Sequence, residues 1–167
     1  IYDPITETWS APATSLSGAV STIAVGSDNV AYLGGSFTGK VTAINLATNA
    51  WVTMPQLDGD VLKLGLSTDG TLYAGGAFTG KINKYDTGSS QWVAISTDPG
   101  LSSRLTGSVI DFVFSDAKIF VVGLFNGVAV QDPILDTWSW LGGAANPAGF
   151  SRAIEADSAG NIYVGGY

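Results

Sequence analysis

Residues 30–51 read VAYLGGSFTGKVTAINLATNAW, and residues 71–92 read TLYAGGAFTGKINKYDTGSSQW. In each, an aromatic stands two residues before a glycine pair, Phe-Thr-Gly follows, and a tryptophan closes the stretch seventeen residues after the first glycine. Trp9, Trp51, Trp92 and Trp138 recur at intervals of 42, 41 and 46 residues. Glycine pairs stand at Gly34-Gly35, Gly75-Gly76 and Gly165-Gly166, with Val122-Gly123 as a degraded copy. Seven residues before the tryptophans stand Tyr2, Ile44, Tyr85 and Gln131. A period of about 43 residues restricts the fold sharply, because each unit must bury its apolar face against its neighbours.

Within one unit the local pattern is β. VLKLGL at 61–66 alternates, placing Leu62, Leu64 and Leu66 on one face. Asp69-Gly70 then gives a hairpin signal, since both residue types tolerate positive φ. TLYAGG, KINKYD and QWVAIS supply three further strands, with FTG and TGSS as turns. No helical period stands out. Four short strands per unit, repeated, predict an all-β chain built as a β-propeller of four-stranded blades.

A glycine pair, eight residues, an aromatic, six residues and a tryptophan resembles the kelch repeat. GGAFTGKINKYDTGSSQW fits without insertion, and GGSFTGKVTAINLATNAW fits with Ile44 in the aromatic's place. The GG-x-F-T start is also similar to repeats of fungal cell-surface polarity proteins and secreted bacterial propellers. The third copy departs from the pattern, having lost one glycine and one residue before Gln131. On this alignment the chain divides into a half-blade at 1–18, blades at 19–59, 60–107 and 108–150, and a half-blade at 151–167. The glycines are expected to let neighbouring sheets approach, with Trp51, Trp92, Phe37 and Phe78 filling the space between them.

The two ends complement one another. IYDPITETWSAP aligns with third and fourth strands, and SRAIEADSAGNIYVGGY with first and second. Three arrangements satisfy this: a small propeller closed on itself, part of a larger one, or two copies joined by exchanging halves. A start at Ile1 fits a processed product or a window from a longer chain.

Chemistry is narrowed mainly by missing residue types. There is no cysteine and no histidine, which removes disulfides, thiolate metal sites and the usual catalytic base. The resemblance implies a fold that also hosts galactose-oxidase-type copper enzymes, but their site needs two histidines and a cysteine-linked tyrosine. Sialidase propellers need three clustered arginines, whereas only Arg104 and Arg152 are present. Nucleic acid is a poor partner for a net charge of −7. The longest apolar run, IFVVGLF at 119–125, is far too short for a membrane span. The turns Asp28-Asn29, Asp69-Gly70 and Asp116-Ala117 are accounted for by hairpin chemistry, and one carboxylate each does not make a calcium site. No cofactor is expected.

The polar candidates are therefore few. Thr22, Lys63, Asp111 and Glu155 fall at matching places in the first strands, which line a propeller's channel, and predict a polar ring in which Lys63 neutralises a carboxylate. Arg104, in the longest connection, and Trp140, extra to the repeat, are candidate ligand contacts. Trp140 shares a strand face with Trp138 and is expected first of all to pack. These features point to a non-catalytic scaffold or protein-interaction module, extracellular or surface-displayed and prone to self-association. A glycan-binding propeller, or an accessory part of a larger enzyme, are the alternatives.

Overall fold

Val, Ile, Leu and Phe alternate in short runs interrupted by Gly, Asn or Asp, and among the described residues the regular structure is all strand. The computed structural model describes residues 1–12, 15–95, 105–132, 134–135, 137–141 and 149–167. Among them are β1 (Tyr2–Asp3) and β2 (Thr8–Trp9), then β3 (Val20–Val25), β4 (Val30–Gly35), β5 (Val41–Asn45) and β6 (Ala50–Val52). β7 (Val61–Leu66), β8 (Leu72–Gly76), β9 (Ile82–Asp86) and β10 (Gln91–Ala94) follow. The last are β11 (Val109–Ser115), β12 (Lys118–Gly123), β13 (Phe125–Asp132), β14 (Thr137–Trp140), β15 (Ser151–Ala156) and β16 (Ile162–Gly166).

Every sheet is an antiparallel meander. β3 to β6, β7 to β10 and β11 to β14 make three four-stranded sheets, here called sheets 1, 2 and 3. β1–β2 and β15–β16 form two separate two-stranded pairs. The spacing of seven residues to each tryptophan is a cross-strand register: Tyr2 faces Trp9, Ile44 faces Trp51, Tyr85 faces Trp92 and Gln131 faces Trp138. In each first strand the register slips by one residue, between Val20 and Thr22, Val61 and Lys63, Val109 and Asp111, and Ser151 and Ala153. Such a bulge bends the strand and re-aims the side chains beyond it.

The core lies between sheets. Val61, Leu64 and Phe78 pack with Val41, Ala43 and Met54 between sheets 1 and 2. Val109, Phe112 and Phe125 pack with Ile82 and Ile95 between sheets 2 and 3, while Ile154 joins Val122, Val128 and Val130. Phe37, Phe78 and Phe125 recur at one position and are almost fully buried, each contributing on the order of 1.5–3 kcal/mol. Trp92 and Trp138 span the gap differently, their Nε1–H groups donating to the carbonyls of Pro55 (2.9 Å) and Ile95 (3.0 Å) of the preceding unit.

The glycine pair proves to divide its labour. A Cβ on Gly34 would lie 2.6 Å from Val61 Cγ1, and one on Gly75 would lie 2.6 Å from Val109 Cγ1, so the first glycine admits the next sheet. The second does not face a neighbouring sheet. Gly35 and Gly76 press against the carbonyls of Ala19 and Asp60, just before the first strand of their own sheet. The Phe-Thr-Gly turn is tied to that same entry segment: Thr38 N–H donates to Ser17 Oγ and Thr79 N–H to Asp58 Oδ1. Sheet 3 lacks this turn, and β12 runs into β13 with Gly123 facing Phe125.

Candidate functional site

First strands contact first strands: β3 meets β7, β7 meets β11, and β11 meets β15, so the sheets fan out from one line. The polar groups on that line engage one another across sheets. Leu64 N–H donates to Thr22 Oγ1 at 3.0 Å, linking sheet 2 to sheet 1. Lys63 Nζ lies 2.7 Å from Asp111 Oδ1, linking sheet 2 to sheet 3. Asp111 Oδ2 accepts from Ile154 N–H at 3.0 Å, linking sheet 3 to the C-terminal pair. Asp111 Oδ1 also accepts from its neighbour Phe112 N–H at 2.9 Å. One carboxylate thus holds an ammonium and two backbone amides in a half-buried setting, where losing a charged partner leaves the others unsatisfied.

Glu155 is not the fourth member of this line. Thr22, Lys63 and Asp111 face Gly34, Gly75 and Val122, and the residue of β15 in that register is Ala153, facing Gly165. Glu155 pairs with Tyr163, two residues further along on the same strand face, and is exposed. The β15–β16 hairpin keeps the register of sheets 1 and 2, and alternation alone does not separate Ala153 from Glu155, which lie on the same face of one strand.

Trp140 packs. It lies against the core between sheets 2 and 3, with its ring edge-on to Phe125 at a centroid distance of 5.9 Å. Arg104 lies outside the described residues.

The hairpin ends carry a second recurring set that motif reading passed over. Tyr32, Tyr73 and Tyr163 are the aromatics two residues before the glycine pairs, and they stand beside the turn carboxylates. Tyr32 Oη–H donates to Asp28 Oδ2 at 3.2 Å, and Tyr163 Oη–H to Asp157 Oδ2 at 3.0 Å. Burial, then the nearby Asp28 carboxylate, raises the Tyr32 phenol above its ordinary pKa; burial, then Asp69, does the same for Tyr73. Asp157 is held at about 2, chiefly by the Asn161 side-chain amide and backbone N–H. Asp69 is also lowered, chiefly by the Ser67 hydroxyl. These carboxylates point their oxygens at their own turns, as hairpin caps do.

Between successive hairpin ends run shallow grooves. One of about 520 Å³ lies between the Asp28 turn and the Asp69 turn, with Tyr32 at its side. A second, about 300 Å³, repeats the arrangement one sheet on, between Asp69 and Asp116 beside Tyr73. A third, about 500 Å³, brings Tyr32 and Tyr85 together with Lys84 and Asp86. Their linings of phenol, hydroxyl and carboxylate offer hydrogen bonds and ring faces. Among the described residues no group of three or more acidic side chains converges as a metal site would require.

No family model matches the chain, and no curated protein matches it. Solved structures do. Over 98% of its length the chain is similar to the extracellular domain of a candidate hybrid two-component system from B. thetaiotaomicron, with a TM-score of 0.74 and 17% identity. Over 95% it is similar to the extracellular domain of a candidate one-component system from the same organism, with a TM-score of 0.72 and 12% identity. It spans only 22% and 21% of those two chains. Over 90% it is similar to the computationally designed Ika4 protein, with a TM-score of 0.64 and 15% identity, and spans 94% of it. At these identities the likeness is one of fold.

Proposed function

We propose that the chain forms consecutive kelch-like blades of a β-propeller, acting as a non-catalytic extracellular or cell-surface scaffold that presents surfaces to protein partners. The observation that carries this reading is the cross-sheet line Thr22–Leu64, Lys63–Asp111 and Asp111–Ile154. The polar groups most central to the fan hold sheet to sheet, as a scaffold requires. Two of the structurally similar proteins are extracellular domains, which supports the location. Labelling intact cells of the natural host with a membrane-impermeant amine reagent tests it. Labelling of the protein before lysis is expected, and a protein labelled only after lysis would overturn the surface assignment.

One observation favours a second reading, glycan binding: Tyr32 and Tyr85 share a groove with Lys84, Asp69 and Asp86. Sugar rings stack on aromatic faces while their hydroxyls bond flanking polar groups. A glycan panel screened by calorimetry separates the readings. Saturable binding lost in Tyr85→Ala would favour the sugar site, and no binding across the panel would favour the scaffold.

A further inference from the structure

At the end of the sheets that carries the β3–β4, β7–β8 and β11–β12 hairpins, one arrangement of side chains is built twice. The groove of about 520 Å³ between sheets 1 and 2 is walled by Asp28 and Asp69, with Tyr32 beside them. The groove of about 300 Å³ between sheets 2 and 3 is walled by Asp69 and Asp116, with Tyr73 and Phe114 beside them, their ring centroids 5.1 Å apart. Asp69 borders both clefts. Among the described residues, neither lining contains a lysine or an arginine.

Elsewhere the carboxylates have cations close by. At the opposite end, where the Phe-Thr-Gly turns lie, Lys40 Nζ stands 2.7 Å from Asp60 Oδ1, and the charge of Lys81 helps to lower Asp58. On the central line Lys63 meets Asp111, and in sheet 3 Lys118 lies 3.8 Å from Asp132. The groove carboxylates have no such neighbour, and capping their turns uses only part of their capacity. Asp69 accepts the Ser67 hydroxyl and the Thr71 N–H at the same oxygen, Oδ1. The Asp116 carboxylate makes no hydrogen bond or ion pair among the described residues. An ionised carboxylate can accept about four hydrogen bonds, so acceptor sites and negative charge remain on offer.

We propose that these two grooves bind an extended basic segment of a protein partner, one arginine or lysine to each groove. A guanidinium or ammonium between two carboxylates meets opposite charge on both sides and finds a tyrosine ring in the same cleft. Stacked sheets lie about 10 Å apart, and a polyproline II segment returns to the same face every three residues after advancing about 9 Å. The fitting segment therefore carries basic residues at positions i and i+3. The net charge of −7 draws it in from a distance. The groove beside Tyr85 contains Lys84 and is not part of this site. The assignment rests on reading the chain as a scaffold for protein partners. It concerns the purified protein, so a chain labelled only after cell lysis would leave it standing.

A fluorescently labelled peptide, Gly-Arg-Pro-Ser-Arg-Pro-Gly, is titrated with the full chain and followed by anisotropy. Saturable binding of one peptide per chain is expected, weakening as salt is added. Asp69→Asn keeps the Oδ1 acceptor of the turn but removes charge from both grooves, and should weaken binding about tenfold. Asp116→Asn, at a carboxylate that bonds nothing else, should weaken it about threefold. Asp58→Asn makes the same change in net charge at the opposite end and should leave the affinity within about twofold. Four results would overturn the assignment: no saturable binding; equal affinity for spermidine or for a peptide of the same composition with adjacent arginines; equal weakening by Asp58→Asn and Asp69→Asn; or displacement of the peptide by a neutral oligosaccharide, which would make the grooves sugar sites.

Discussion

Gly75, Gly76 and Gly165 look alike in sequence and differ in what an added methyl would meet. At Gly75 it meets Val109 Cγ1 at 2.6 Å, a side chain that can shift; at Gly76 it meets the Asp60 carbonyl, which the hairpin hydrogen bond Ala77 N–H to Asp60 O holds in place. Gly75→Ala should therefore cost about 1–3 kcal/mol and Gly76→Ala more, while Gly165→Ala should leave the monomer unchanged. Urea denaturation of the three variants gives that order, and equal losses would refute the division of labour within the pair. Asp157 carries the second residue-scale prediction. Its carboxyl is lowered to about 2 by Asn161, so its native pKa lies below the unfolded value. Its contribution to stability is complete above about pH 4 and fades as pH falls through about 2. An NMR titration should show that midpoint, and Asn161→Ala should move it upward toward the ordinary carboxylate value. A midpoint already near 4 in the parent protein would remove the Asn161 bond from the account.

Among the elements, the β11–β12 hairpin is the least comfortable. Asp116 and Ala117 hold φ values of +49° and +59°, a two-residue turn of the kind that fits strand twist but strains alanine. Ala117→Gly should relieve it and stabilise the protein by about 1 kcal/mol, read as a higher melting temperature. The inter-sheet line makes the opposite prediction. Asp111→Ala removes the acceptor of Lys63 and of Ile154 N–H together and should cost about 1–3 kcal/mol, with Lys63→Met costing less. Thr22, Lys63 and Asp111 were legible in sequence because strand alternation fixes which face a residue takes. Glu155 was placed on the correct face but two residues out, because alternation repeats every two residues and fixes the face without fixing the register, which the bulge before Ala153 sets. The tryptophan pairings were legible for the same reason in reverse: a constant seven-residue spacing across a short turn is itself a register. The Tyr–Asp sets at the hairpin ends were visible only as separate features, an aromatic before a glycine pair and an aspartate in a turn. Their partners lie across a turn whose geometry the letters do not specify.

At the scale of the whole molecule, every four-stranded sheet comes from one uninterrupted stretch of chain, and among the described residues its extensive contacts with other sheets are with its immediate neighbours. Residues 1–10 are exposed throughout, and among the described residues β1 and β2 pair with each other, with Ile1 and Ser10 bonded to one another beyond them. Deleting residues 1–10 should therefore leave the melting temperature unchanged, measured by calorimetry. A fall of several degrees would show that the N-terminal pair packs on the rest of the molecule. The bulge repeated at the start of every first strand has a consequence of a different kind. The residue it ejects from the ladder is Ser21 in sheet 1, Leu62 in sheet 2, Ile110 in sheet 3 and Arg152 in the C-terminal pair. A hydroxyl, two aliphatics and a guanidinium thus occupy one geometric address, because a position free of ladder pairing can change chemistry without disturbing the sheet. The plan keeps a set of equivalent sockets in which selection can vary the occupant one at a time, holding the frame constant while the surface it displays diversifies.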